Sequence, residues 1–158
     1  MSQKQLKALH GEEILAGDHD SAASISKFMA DGDTIRVLLG GTQVKIRLYG
    51  IDTPERRQAF GNRAKQFTSG QVFGKTVKAV PMDADRCGRT VALVQSLDDT
   101  VTLNEALVKQ GYAWVYRKYC KADFCPEWLD QERTAQASNR GLWTDPDPIP
   151  PWQYRKRK

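Results

Sequence analysis

The chain is poor in the residues that build soft metal sites and membrane spans. It has two histidines and three cysteines in 158 residues. His10 and His19 both fall in the first twenty residues, and Cys87 stands far in sequence from Cys120 and Cys125. A zinc site needs a close set of thiolates and imidazoles, so these counts argue against one. No run of about 18 apolar residues occurs, so no transmembrane helix is expected. The N-terminal stretch lacks the apolar centre of a secretory signal. No internal repeat is visible. Excess charge is scarce outside one place. The formal net charge is +5, and Arg155, Lys156, Arg157 and Lys158 carry four of those charges. The pI near 9.2 is therefore largely a property of the tail. Such a tail draws polyanions, and it equally serves as a solvated end.

The length suits one domain with a real core. Residues 1–20 mix charges with small residues and read as a mobile arm. Residues 21–144 read as the folded domain, and 145–158 as a proline-rich strap with a basic tail. Asp145 to Pro151 cannot continue a helix and should be extended. Strands are expected at about 21–30, 33–39, 43–51, 75–82 and 89–96. A first helix is expected from about Asn62 to Phe73, with Phe60, Ala64, Phe67 and Gln71 on one side. A second begins with a Thr102–Glu105 capping box, ends at Gly111 and buries Leu103, Ala106 and Leu107. A third starts near Pro126, stops at Asn139-Arg140-Gly141 and turns Trp128, Leu129 and Ala135 inward.

The chemistry concentrates between Asp31 and Glu55. Asp31-Gly32-Asp33-Thr34 opens one strand, Gly40-Gly41 supplies a turn, and Lys45 to Gly50 forms the return strand. That hairpin brings Asp33 near Asp52. Alternation places Lys45, Arg47 and Tyr49 on one face and Ile46 and Leu48 on the other. Hard oxygen ligands beside a guanidinium suit phosphate handled with a divalent cation. Each fragment also has a plain reading. Asp-Gly-Asp is ordinary turn composition, and Asp52-Thr53-Pro54-Glu55 could open a helix. An EF-hand fits poorly, because the fifth residue from Asp31 is Ile35 and the twelfth is Thr42. A second turn, Asp83-Ala84-Asp85-Arg86-Cys87-Gly88-Arg89, feeds another strand and adds Arg89.

These segments, with Leu103-Asn104-Glu105-Ala106-Leu107 and Gly141-Leu142-Trp143, resemble the staphylococcal nuclease (thermonuclease) family in its own order. The resemblance covers roughly residues 23–144. It implies an α+β fold, a five-stranded OB-fold β-barrel with three α-helices. It implies Ca2+ held by Asp33, Asp52 and the Thr53 carbonyl, with Asp31 close behind. It implies that Arg47 and Arg89 grip the scissile phosphate and that Glu55 activates or orients water. Tyr116 and Tyr119 are both candidates for a tyrosine that stacks on a base, against packing on the barrel; for Trp114 packing is the better reading. One departure is Cys87, where the family often has a tyrosine.

The expected activity is calcium-dependent hydrolysis of DNA and RNA with little sequence preference, by a monomer with no membrane association. A catalytically silent module of the same fold, binding nucleic acid or a modified peptide, is the alternative. A simple single-strand binder is a third, and it has no use for three carboxylates in its groove. Cys120 and Cys125 lie five apart, which permits a local disulfide or two reduced thiols. A bond there favours an oxidising compartment, periplasmic or secreted, as for exported bacterial members of the family.

Overall fold

Alternating apolar residues build the central hairpin. Strand β2 (Thr34–Leu39) buries Ile35 and Val37, and β3 (Thr42–Leu48) buries Ile46 and Leu48. The two pair antiparallel, with Thr34 opposite Arg47 and Leu39 opposite Thr42. The computed structural model describes residues 14–16, 32–39, 42–84 and 88–157. The strand expected at 21–30, most of the arm at 1–20, Asp31, Gly40, Gly41 and Cys87 lie outside these residues.

Strand β1 (Ile14–Ala16) lies against β5 (Val77–Ala84), which pairs antiparallel with β6 (Thr90–Ser96). The β5–β6 register slips between Pro81 and Asp83. Proline has no N–H for a ladder, so an irregularity there is expected. Strand β6 runs parallel to β3, with Ile46 opposite Thr90 and Leu48 opposite Ala92. The sheet order is β1-β5-β6-β3-β2. A second, two-stranded sheet joins β4 (Ile51–Asp52) to β7 (Trp114–Val115).

The fold is α+β, as expected, but the barrel is not closed among the described residues. Edge strands β1 and β2 share no ladder. Seven strands are present among the described residues where five were expected. Helices α1 (Gly61–Val72), α2 (Leu103–Lys109) and α3 (Cys125–Ala137) match the three expected ones within a few residues. A 3-10 turn (Gly141–Thr144) and a fourth helix, α4 (Pro151–Lys156), were not expected. Helix α4 starts at proline, whose fixed φ suits a first helical position.

Several faces differ in detail from the pattern. Helix α1 buries Gly61, Ala64, Thr68 and Val72, one position round from the expected stripe. Thr68 enters the core because its hydroxyl donates to the Gly32 carbonyl at 2.6 Å. Helix α2 is capped at Thr102, whose Oγ1 accepts from Glu105 N at 3.1 Å. The Glu105 carboxylate does not fold back; it accepts from Gln131 Nε2 on α3. Tyr49 is buried rather than beside Arg47. Strand β3 ends at Leu48, and the following turn, with Gly50 at φ 76°, swings the Tyr49 ring onto Phe124.

Two buried polar side chains fix the helices to the sheets. Asn104, fully buried on α2, donates to the carbonyls of Tyr49 and Ala92 and accepts from Val94 N. Glu132 on α3 accepts from Val115 N at 2.8 Å, and burial raises its pKa. Asn104→Ala leaves the Val94 N–H and the Tyr49 carbonyl without this partner, while the Ala92 carbonyl keeps its bond from Tyr49 N. It should cost about 2 kcal/mol, read from chemical denaturation at constant m; a change under about 0.5 kcal/mol, typical of neutral surface sites, would refute the role.

Candidate active site

The sheet order decides which site residues meet. Arg47 sits on β3 between the start of β2, where Asp33 and Thr34 lie, and the start of β6, just after Arg89. The Asp33 carbonyl accepts from Leu48 N at 2.8 Å, closing the mouth of the hairpin. Past the Gly50 turn, β4 carries Asp52, and its pairing with Trp114 sets the depth of that carboxylate. The chain then loops through Thr53, Pro54 and Glu55 to α1 rather than opening a helix at Asp52. Gly61, at the head of α1, lies under the Glu55 carbonyl so closely that a Cβ would collide with it. That contact fixes the loop that presents Glu55.

Asp33, Asp52, Arg47 and Glu55 form one charged cluster. Arg47 Nη1 is 2.8 Å from Asp33 Oδ2, and Nη2 is 3.7 Å from Asp52 Oδ1. Asp33 Oδ2 also accepts from Thr53 N at 2.9 Å. Arg89 Nη1 reaches Thr34 Oγ1 at 3.4 Å, and that hydroxyl reaches Asp33 Oδ1 at 3.4 Å. The Asp52 side chain is only 1% exposed. Burial pushes its pKa up, against the lowering effect of neighbouring guanidinium groups. For Arg47, burial lowers the pKa, but Asp33 and Asp52 outweigh it and the net shift is upward.

Two buried polar atoms here lack hydrogen-bond partners. Arg47 Nη1 contacts Asp33 but is not aligned to donate to it, and Thr53 Oγ1 has no partner. Such orphans are costly in a finished core and ordinary where a ligand completes the site. A hollow of about 200 Å³ lies beside the 53–60 loop, lined by Pro54, Phe60, Trp114, Ile149, Tyr154 and Arg157 among others. None of the clustered carboxylates lines it.

The sequence model described as staphylococcal nuclease homologue matches residues 45–145. The chain belongs to the staphylococcal nuclease family. It is 42% identical over 133 residues to Protein ParB of Escherichia coli, covering 80% of this chain and 75% of that one. It is 39% identical over 128 residues to an uncharacterized endonuclease of Escherichia coli O157:H7, covering 81% of each. It is 35% identical over 133 residues to a micrococcal nuclease of Shigella flexneri, covering 80% and 76%. No helix among the described residues of this family member is long and apolar enough to cross a membrane. Cys120 and Cys125 are disulfide-bonded, with Cα atoms 5.9 Å apart.

The aromatic candidates pack on one another and on Trp152. The ring of Tyr116 meets the edge of Tyr119 at 4.8 Å, and Tyr119 is half exposed. Trp114 packs edge-on against Trp143 at 4.5 Å and against Trp152 at 5.7 Å. The helix that carries Trp152 also holds a residue that pattern reading did not single out. Arg155, on α4, donates to both oxygens of Asp52, at 3.2 and 2.8 Å, and to Glu55 Oε2 at 2.6 Å. A basic run at a chain end gives no signal for one arginine turned inward. Its partners are 103 and 100 residues away in sequence.

Proposed function

We propose that this chain is a calcium-dependent nuclease that hydrolyses phosphodiester bonds of DNA and RNA with little base preference. The observation that carries the reading is Arg47, held between Asp33 and Asp52 with a buried N–H left to donate. A phosphate oxygen is the acceptor such a guanidinium suits. Arg47 and Arg89 bind the scissile phosphate and stabilise charge that builds on its oxygens. Glu55, beside them, orients the attacking water and takes its proton. Phosphate contacts carry no sequence information, hence the expected breadth of substrate.

The donor set suits a hard cation. Asp33, Asp52 and the Thr53 carbonyl offer only oxygens, and Asp31 falls outside the described residues. Among the described residues no three acidic, histidine or cysteine side chains form a cage. Water and substrate oxygens therefore have to complete a calcium shell. When bound, the ion supplies Lewis-acid neutralisation of phosphate charge. Tyr119 is exposed, whereas Trp152 covers one face of Tyr116, so Tyr119 is the better candidate of the two to meet a base. The Cys120–Cys125 bond supports an oxidising location, periplasmic or secreted, and the reading is of a monomer.

The test is degradation of plasmid DNA and of RNA with calcium and with excess chelator. Cleavage of both with calcium and loss of cleavage with chelator are expected. Full activity in chelator would overturn the calcium assignment. Binding without cleavage under both conditions would favour the silent module.

A further inference from the structure

Arg155 lies outside residues 45–145, the span that matches the family. It nevertheless makes more hydrogen bonds to the clustered carboxylates than Arg47 does. Three observations bear on its role. First, Arg155 supplies the hydrogen bonds seen at the Glu55 carboxylate and at both oxygens of Asp52. Second, one guanidinium spans both acids, so their separation and tilt are set by a single rigid fork. Third, the helix carrying it is anchored on several sides. Pro151 is buried, and Trp152 lies flat on Tyr116 at 4.9 Å and 10°. The Ile149 carbonyl just before α4 accepts from Gln58 Nε2, on the same loop as Glu55.

We propose that Arg155 is a positioning residue for hydrolysis, holding Glu55 toward the attacking water while fixing the orientation of Asp52. The inference rests on the roles given above to Asp52 and Glu55. A carboxylate oxygen has more than one acceptor direction, so Asp52 can serve Arg155 and a cation together. Glu55 Oε2 is held by Arg155, which leaves its other oxygen to meet water. The Trp152–Tyr116 stack is the brace that delivers the guanidinium. The tail is then part of the active site rather than only a solvated end.

The experiment compares wild type with Arg155→Ala, Arg155→Lys and Arg155→Gln, the last keeping a hydrogen-bonding side chain should the alanine variant fold poorly. Circular dichroism checks the fold, and kcat and KM for DNA are measured at saturating calcium. Calcium binding is measured separately by calorimetry without substrate. We expect kcat to fall about 10–100-fold in Arg155→Ala, the usual cost of losing an orienting partner. KM should change little, calcium should still bind, and millimolar guanidinium should restore part of the rate. Arg155→Lys should fall between wild type and alanine. Unchanged kcat in folded variants would overturn the proposal. So would a fall that neither lysine nor guanidinium relieves, since that marks a structural loss. Tighter calcium binding with faster turnover would also overturn it, because Arg155 would then be a competing occupant. If wild type itself cleaves nothing with calcium, the failure lies with the proposed function, not with this inference.

Discussion

Arg47→Ala should lower the rate of DNA hydrolysis by about 10²–10³-fold, the usual cost of removing one electrostatic donor from a transition state. It should also lower stability at neutral pH. Asp33 and Asp52 are both buried, and Arg47 is a cation shared between them. Breaking a buried pair by removing one partner typically costs about 3–5 kcal/mol, and Arg155 remains on Asp52 to soften the loss. Arg89→Ala should show a similar loss of rate with a smaller loss of stability, because Arg89 is only partly buried whereas Arg47 lies between two buried carboxylates. Single-turnover rates and urea unfolding of both variants separate the two effects. Near wild-type rates in both would reject the phosphate-binding roles; equal destabilisation would reject the distinction between them.

Gly50→Ala should destabilise the protein by about 3 kcal/mol, from about 1–2 for the left-handed backbone and about 1–3 for overpacking. Gly50 has φ 76°, and a Cβ there would sit 2.8 Å from Cys120 Sγ and 3.1 Å from Trp128 Cζ3. The turn also leads directly into β4, so Asp52 should shift with it. Thermal unfolding and nuclease rate should therefore fall together. A stable, fully active variant would show that the turn can relax without moving β4.

Local patterns made much of this structure legible. The Thr102 cap, the stop at Asn139 to Gly141 and the β2–β3 pairing each rest on neighbouring residues, and all three are present. The convergence of Asp33, Arg47 and Asp52 could be read because the hairpin itself brings them close. The rest depended on distant partners. The Thr68 hydroxyl is accommodated in the core by a carbonyl 36 residues away, which rotated the buried face of α1. Nothing in the pattern of α3 calls for a buried Glu132, which the Val115 amide holds. Asn104 had no visible role before β6 and the Tyr49 turn met on it. Arg155 had composition against it, since its neighbours are solvated cations. Residues 145–150 form no helix, as their prolines require, but Pro151 opens α4, and the basic run gave no signal for that short helix.

The parallel pairing of β3 with β6 has a kinetic meaning. Ile46 meets Thr90 across a stretch of chain that contains α1 and β5. Closing such a loop costs entropy before any contact rewards it, and parallel pairing is slow for that reason. The hairpin is local and should form early, and Arg89 should join it later, with the β3–β6 pairing. Recovery of activity on refolding should therefore trail the appearance of secondary structure, and a chain halted before β6 docks would carry the acids of the site without its second arginine.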